Sequence, residues 1–219
     1  MGRSSTIAMD EEDRFVDDAT LTPLSAIAHA FEELTKSVDF RSQDLRLDTF
    51  CQACSLVSVL FGTLGIAFKF AQSEYVSKLR NLVEASKTHD TLQSILDLDV
   101  ANGTVRKPGS LSRNLRRVRQ GLDLIRALFE QFLSSDHYSL KEAASTAYAQ
   151  VCAPFHTWAV RTAVSAGMYA LPSRERLLLN LNETDQSAEK EMRRYIKASL
   201  PVIEYIDKLY ITRNISLDW

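Results

Sequence analysis

Apolar residues recur at intervals of three and four along most of the chain, which is the spacing of one face of a helix. The first such stretch begins at Thr22-Pro23, where a threonine N-cap precedes a proline at the first helical position. An apolar stripe from Leu24 to Val38 follows it. The sequence contains no alternating apolar–polar pattern longer than four residues and no internal repeat. The pattern therefore predicts an all-α protein.

The same periodicity predicts about eight helices in one domain, which we place at residues 21–219. After the first helix they cover about 46–71 with a continuation over 73–87, then 91–99, 112–135, 139–152, 156–169, 173–181 and 186–212. Asn-Gly and Pro-Gly pairs mark residues 100–109 as a loop. Ser112 is the expected cap of the helix that follows this loop.

One predicted helix approaches the length of a membrane span. Twenty uncharged residues lie between Asp48 and Lys69. Polar and glycine residues dilute the hydrophobicity of this run, and its flanks carry no asymmetric cluster of lysine and arginine. We expect a helix buried on all sides, and a bilayer-spanning helix is the alternative.

Composition agrees with a helical, globular chain. Apolar residues make up 45% of the sequence, and only 7 Gly and 5 Pro are present, which argues against an all-β fold.

The formal net charge of −2 is an average over segments of opposite charge. Residues 1–20 hold six acidic side chains against two arginines and are expected to form a disordered acidic tail. No signal peptide is visible, so a cytosolic location is expected.

Few residues suggest catalysis or metal binding. Cys51 and Cys54 form a C-x-x-C on an apolar helical stretch, where small core side chains are a better interpretation than a metal or redox pair. The four histidines show no metal-ligand spacing, and no Gly-rich phosphate loop or nucleophile–base motif is present. The sequence predicts no catalytic residue, no metal and no cofactor.

A basic cluster occupies residues 100–122, which contain six cations and no acid. Arg113 and Arg117 lie four apart on one predicted helix and so project from the same face. Like charges at this spacing repel each other. The planar guanidinium of arginine can donate two parallel hydrogen bonds to a phosphate. An anion site and a solvated basic face both remain possible on spacing alone. Nucleic acid is a poor fit, because the chain is slightly acidic and this stretch has no aromatic residue.

Several long segments together resemble the glycolipid transfer protein family. They are LFGTLGIAFKF (60–70), EYVSKLRNLV (74–83), SRNLRRVRQGLDLIRALFEQ (112–131), YAQVCAPFHTWAVRTAVSAGMYALP (148–172) and the terminal LDW (217–219). The resemblance covers nearly all of the chain from Leu24 to Trp219. It implies a two-layer helical sandwich that encloses the hydrocarbon chains of a sphingolipid between its layers.

The resemblance also implies a head-group site. Its members are Glu74, Lys78, Arg113, Arg117 and His156. Glycolipid-specific members carry tryptophan at the position of Arg117, so arginine there favours a phosphate over a sugar. Close relatives carry aspartate at the position of Glu74, and glutamate keeps the charge but is one methylene longer.

Two further sets of residues follow from the same resemblance. Trp158 matches a tryptophan that contacts membranes in this family. The expected pocket for the hydrocarbon chains is lined by Phe61, Leu64, Phe68, Val118, Leu122 and Ile125. Arg106 and Lys107 would add attraction to anionic lipid, and Arg116 and Arg119 are expected to be surface residues.

The implied function is transfer of ceramide-1-phosphate or a related phosphosphingolipid between membranes, with only transient membrane contact and no chemical change. The alternatives are a phosphosphingolipid sensor or adaptor in the regulation of cell death, and transfer of glycosphingolipids. A lipid-modifying enzyme is disfavoured by the missing catalytic motifs. The sequence points to no particular protein partner.

Overall fold

The computed structural model describes residues 21–39, 44–134 and 139–219. The acidic segment 1–20, which was predicted to be disordered, lies outside the described residues. Within them the chain forms nine α-helices, and one isolated bridge between Arg46 and Thr91 is the sole β pairing. The all-α prediction is confirmed. The helices are α1 Pro23–Asp39, α2 Leu47–Thr63, α3 Lys69–Ala85, α4 Leu92–Ala101, α5 Leu111–Ser134, α6 Leu140–Val151, α7 Trp158–Gly167, α8 Arg174–Asn180 and α9 Asp185–Ile211.

Of the two helix caps that the sequence predicts, one is confirmed and one is wrong. The Thr22 hydroxyl accepts a hydrogen bond from the Ser25 amide at 3.2 Å, which confirms the predicted start of α1. The predicted cap of α5 is wrong by two residues. The Ser110 hydroxyl, not that of Ser112, accepts from the Arg113 amide, at 3.1 Å. Ser112 is instead fully buried inside the first turn.

The predicted helix over 46–71 is broken in the structure. Helix α2 ends at Thr63, a 3₁₀ turn covers Ile66–Phe68, and α3 begins at Lys69. Gly65 lies in the break with φ of 80°, a backbone conformation that glycine adopts without steric cost. The reversal lays α3 back against α2, where the Tyr75 hydroxyl donates to the Cys54 carbonyl at 2.9 Å.

Helix α2 is buried on one face only, so the expectation of burial on all sides is wrong. Phe50, Val57 and Phe61 are at most 1% exposed, whereas Leu56 and Val59 are 38% and 47% exposed. Among the helices of the described residues, none combines the length and apolar character that a membrane crossing needs.

The longest helix, α9, packs against both α1 and α5, and α5 also packs against α3 and α6. Helix α2 packs against α1 and α3. At the centre, the ring of Tyr195 meets those of Phe31 and Phe129 edge to face, with centroids 5.0 and 5.7 Å away. Helix α5 thus has neighbours on several sides, and this decides which of its arginines are neutralised.

Candidate functional site

Three arginines of α5 are tied into ion pairs. Arg116 Nη1 lies 3.1 Å from Asp207 Oδ1 of α9, and its Nη2 donates to the Leu217 carbonyl at 2.8 Å. Arg119 bridges Asp207 at 2.5 Å and Asp123 at 2.7 Å. Arg126 pairs with Asp123 and Glu130 in the same way. The expectation that Arg116 and Arg119 are surface residues is wrong, because both face carboxylates at the α5–α9 interface; the Arg116 side chain is 8% exposed.

Arg113 and Arg117 differ from these three. Within the part of the chain that the structure describes, neither forms an ion pair with a carboxylate. The Arg113 Nη1 donates to the Arg106 carbonyl at 2.7 Å, and the Arg117 Nη1 donates to Gln120 Oε1 at 2.9 Å. Both acceptors are neutral. The two positive charges are therefore held in place without being cancelled by any carboxylate of the described residues. A guanidinium with free donors binds phosphate well.

Partial burial makes the positive charge of Arg117 less favourable. Burial and repulsion from Arg113 both lower the pKa of the Arg117 guanidinium. Arginine nevertheless keeps its charge at neutral pH. An anion bound beside Arg117 would offset both the burial of its charge and the repulsion from Arg113.

Helix α3 brings Glu74 and Lys78 to the same region. Lys78 Nζ lies 3.6 Å from Glu74 Oε2 on a partly exposed face. The Glu74 carboxylate opposes part of the lowering of the Arg117 pKa, so the two charges are within electrostatic reach of each other. A Cβ atom on Gly121 would lie 2.6 Å from Tyr75 Cδ2, so α3 and α5 approach closely because position 121 is glycine.

His156 joins the site from a third segment, just after the 3₁₀ turn Ala153–Phe155. Its Nδ1 lies 2.8 Å from the Tyr148 hydroxyl of α6. Burial lowers the pKa of the His156 imidazole, and the charge of Arg117 lowers it further. The ring is therefore neutral at neutral pH. Tyr148 was not predicted as a site residue, and nothing in the sequence pattern marks a tyrosine eight residues before a histidine as its partner.

The residues predicted to line the chain pocket lie in the hydrophobic core. Each of them is at most 5% exposed: Phe61, Leu64, Phe68, Val118, Leu122 and Ile125. Leu64 and Ile125 line a cavity of about 10 Å³. Pockets that hold a small ligand usually measure about 300–1,000 Å³. The core at Leu64 and Ile125 is therefore closed in this structure and has no room for a hydrocarbon chain.

Trp158, the first residue of α7, is 73% exposed. Three elements contact one another here: α7, the 3₁₀ turn Ile66–Phe68 and the 3₁₀ turn Met168–Ala170. Further large apolar side chains are more than 70% exposed on or next to these elements: Ile66, Phe70 and Tyr169. We call these three residues and Trp158 the apolar surface. Sequence periodicity did not identify Ile66 and Phe70, because both belong to an apolar stretch that predicts burial.

The three cysteines are buried and free. Burial raises the pKa of the Cys51 and Cys152 thiols to about 12, so neither is a thiolate at neutral pH. Among the described residues, no group of three histidine, cysteine or acidic side chains is arranged to hold a metal ion. Cys51 and Cys54 accordingly pack as small core side chains.

Comparison with known proteins gives consistent similarities. The family model "Glycolipid transfer protein (GLTP)" matches residues 45–183. The ACD11 homolog protein of Arabidopsis thaliana is 65% identical, covering 96% of this chain and 97% of its own length. Accelerated cell death 11 of the same plant is 47% identical over 90% of this chain and 96% of its own. A crystal structure of a point variant of the latter, complexed with C12 ceramide-1-phosphate, matches with a TM-score of 0.89 and 46% identity. It covers 91% of this chain and 100% of that one.

Proposed function

Because the chain belongs to the glycolipid transfer protein family, we propose that it binds ceramide-1-phosphate and transfers it between membranes without altering it chemically. The family model spans more than half of the chain, and the 65% identical relative spans nearly all of it. The family and the two-layer helical sandwich that the sequence implied are confirmed. We take residues 21–219 as one lipid-binding domain.

The observation that carries the proposal is the uncancelled charge of Arg113 and Arg117. A phosphomonoester has a charge of about −1.5 to −2 at neutral pH and offers three acceptor oxygens. Two guanidinium groups one helical turn apart can donate to different oxygens of the same phosphate. Lys78 of α3 would supply a third cation. The solved relative with ceramide-1-phosphate bound supports this choice of ligand.

The remaining polar residues suit the amide part of a ceramide. The Glu74 carboxylate would accept from the ceramide amide N–H, at the cost of its contact with Lys78, which is 3.6 Å long and partly exposed. If the Tyr148 hydroxyl donates to His156 Nδ1, the proton of the neutral ring is on Nε2. That N–H would then donate to the ceramide carbonyl. Glutamate is one methylene longer than aspartate, so the amide would sit further from α3 than in relatives with aspartate.

The apolar surface would make the membrane contact. Tryptophan and tyrosine favour the boundary between lipid and water, and isoleucine and phenylalanine gain from reaching the acyl region. Extraction of a lipid is close to balanced, because each methylene that leaves the bilayer is buried again in the core. The polar head contacts therefore decide which lipid is carried. We place this activity in the cytosol, with transient contact at membrane surfaces.

Vesicle-to-vesicle transfer of labelled ceramide-1-phosphate and labelled galactosylceramide, measured side by side, tests the proposal. We expect ceramide-1-phosphate to move at least about tenfold faster, since a charged hydrogen-bonded pair contributes roughly 1.5–3 kcal/mol. Faster movement of galactosylceramide would overturn the phosphate assignment and favour glycolipid transfer. Recovery of ceramide-1-phosphate in a chemically altered form would instead indicate an enzyme.

A further inference from the structure

Gln120 is the residue that holds Arg117. It lies one turn further along α5 and is 9% exposed. Its Oε1 accepts from Arg117 Nη1 at 2.9 Å, while its Nε2 donates to the Val151 carbonyl at 3.2 Å. Val151 is the last residue of α6, five positions before His156. One buried amide thus links the arginine helix to the segment that carries the histidine.

The two bonds require the chemistry of an amide. A carboxylate accepts from arginine but has no proton to donate to a carbonyl, and an apolar side chain does neither. A carboxylate at this position would also cancel the charge of Arg117. Glutamine fixes the guanidinium through a neutral acceptor and leaves its charge available.

The geometry points to Gln120 as a positioning residue that sets the orientation of Arg117 and thereby the preference for a phosphate head group. This inference rests on the proposed function and adds a residue that makes no contact with the ligand itself. Because its amide also donates to the end of α6, Gln120 fixes the guanidinium relative to the His156 segment. The phosphate and the ceramide carbonyl are thus bound at a set separation.

The test compares binding of ceramide-1-phosphate with binding of ceramide, which lacks the phosphate, for the wild-type chain and two variants. Gln120→Leu should weaken ceramide-1-phosphate binding roughly tenfold, because Arg117 keeps its charge but loses its orientation. Gln120→Glu should weaken it more, because the new carboxylate neutralises Arg117. Ceramide binding should change less than twofold in both variants. Gln186→Leu, an exposed position near the start of α9, is the matched control and should behave as wild type.

A purely structural role for Gln120 would weaken binding of both lipids by the same factor, and that result would overturn the inference. Unchanged ceramide-1-phosphate binding by Gln120→Leu would overturn it as well. Thermal unfolding identifies a variant that fails to fold. If Gln120→Leu does not fold, the comparison of the two lipids is decided by Gln120→Glu, which is nearly isosteric with the wild type. If the wild-type chain itself shows no preference for ceramide-1-phosphate, the proposed function fails together with the inference. Failure confined to the variants leaves the proposed function standing.

Discussion

Asp207 of α9 neutralises Arg116 of α5, with 3.1 Å between Asp207 Oδ1 and Arg116 Nη1. The same carboxylate also pairs with Arg119. On the face turned towards α9 the arginines are therefore structural, and on the neighbouring face Arg113 and Arg117 keep their charge. Carboxylates of α5 and α9 thus neutralise one side of this basic helix, and the other side is the proposed binding side.

Replacing this carboxylate should destabilise the fold. Asp207→Asn leaves Arg116 without a counter-charge in a position where its side chain is 8% exposed. Loss of one partner from a largely buried pair costs roughly 3 kcal/mol of unfolding free energy. Denaturant unfolding measures this, with the exposed Glu204→Gln on the same helix as control. Equal stability of the two variants would mean that Asp207 has no such role.

Loss of either site arginine should reduce lipid transfer without destabilising the fold. Arg113→Leu or Arg117→Leu should reduce ceramide-1-phosphate transfer to background, because the remaining arginine and Lys78 cannot hold the phosphate without it. Helicity by circular dichroism should stay unchanged, since neither side chain pairs with a carboxylate within the described residues. Arg193→Leu, which removes an exposed arginine of α9, is the control. Wild-type transfer by either site variant would show that the phosphate binds elsewhere.

The sequence predicted most of the helices and the family correctly, because both depend on local patterns. The stripe of α1 and the span of α5 came from apolar spacing, and the positions of Glu74, Lys78 and His156 came from segments that resemble the family. The break at Gly65 was missed, because the turn itself consists of apolar residues and glycine within an uncharged stretch and so gives no sign of a reversal.

Roles that depend on distant partners could not be predicted. Arg116 and Arg117 are neighbours in the sequence with the same chemistry, yet among the described residues a carboxylate pairs with Arg116 and none pairs with Arg117. The difference comes from Asp207, which lies 91 positions from Arg116 along the chain. Gln120 was missed for a related reason, since its proposed positioning role depends on a hydrogen bond to the Val151 carbonyl of another helix.

The apolar surface should determine membrane attachment. Trp158→Ala removes an aromatic side chain that is 73% exposed, so the fold should keep its stability. Binding to vesicles and the rate of transfer should both fall several-fold, because the indole no longer enters the lipid–water boundary. Sedimentation with vesicles measures the attachment. Leu200→Ala, at an exposed position in α9, should leave it unchanged, and an equal loss in this control would contradict the assignment.

His156 should make stability depend on pH. Its pKa in the folded chain is below the ordinary value of 6.5, because burial and Arg117 both disfavour the imidazolium. As pH falls, the unfolded chain takes up this proton first, so the contribution is complete above about pH 6.5 and is lost towards the lower, folded pKa. Unfolding free energies at about pH 7.5 and about pH 5 should therefore differ more for wild type than for His156→Gln. Equal pH dependence of the two chains would rule out a depressed pKa at this residue.

The central claim is that Arg113 and Arg117 together hold the phosphate, and a crystal structure of the chain with ceramide-1-phosphate tests it most directly. We predict phosphate oxygens at about 2.7–2.9 Å from both guanidinium groups, the distance of a charge-assisted hydrogen bond. Arg116 should still be paired with Asp207 in that complex. A phosphate seated against other cations such as Lys107, with Arg113 and Arg117 turned to solvent, would contradict the account.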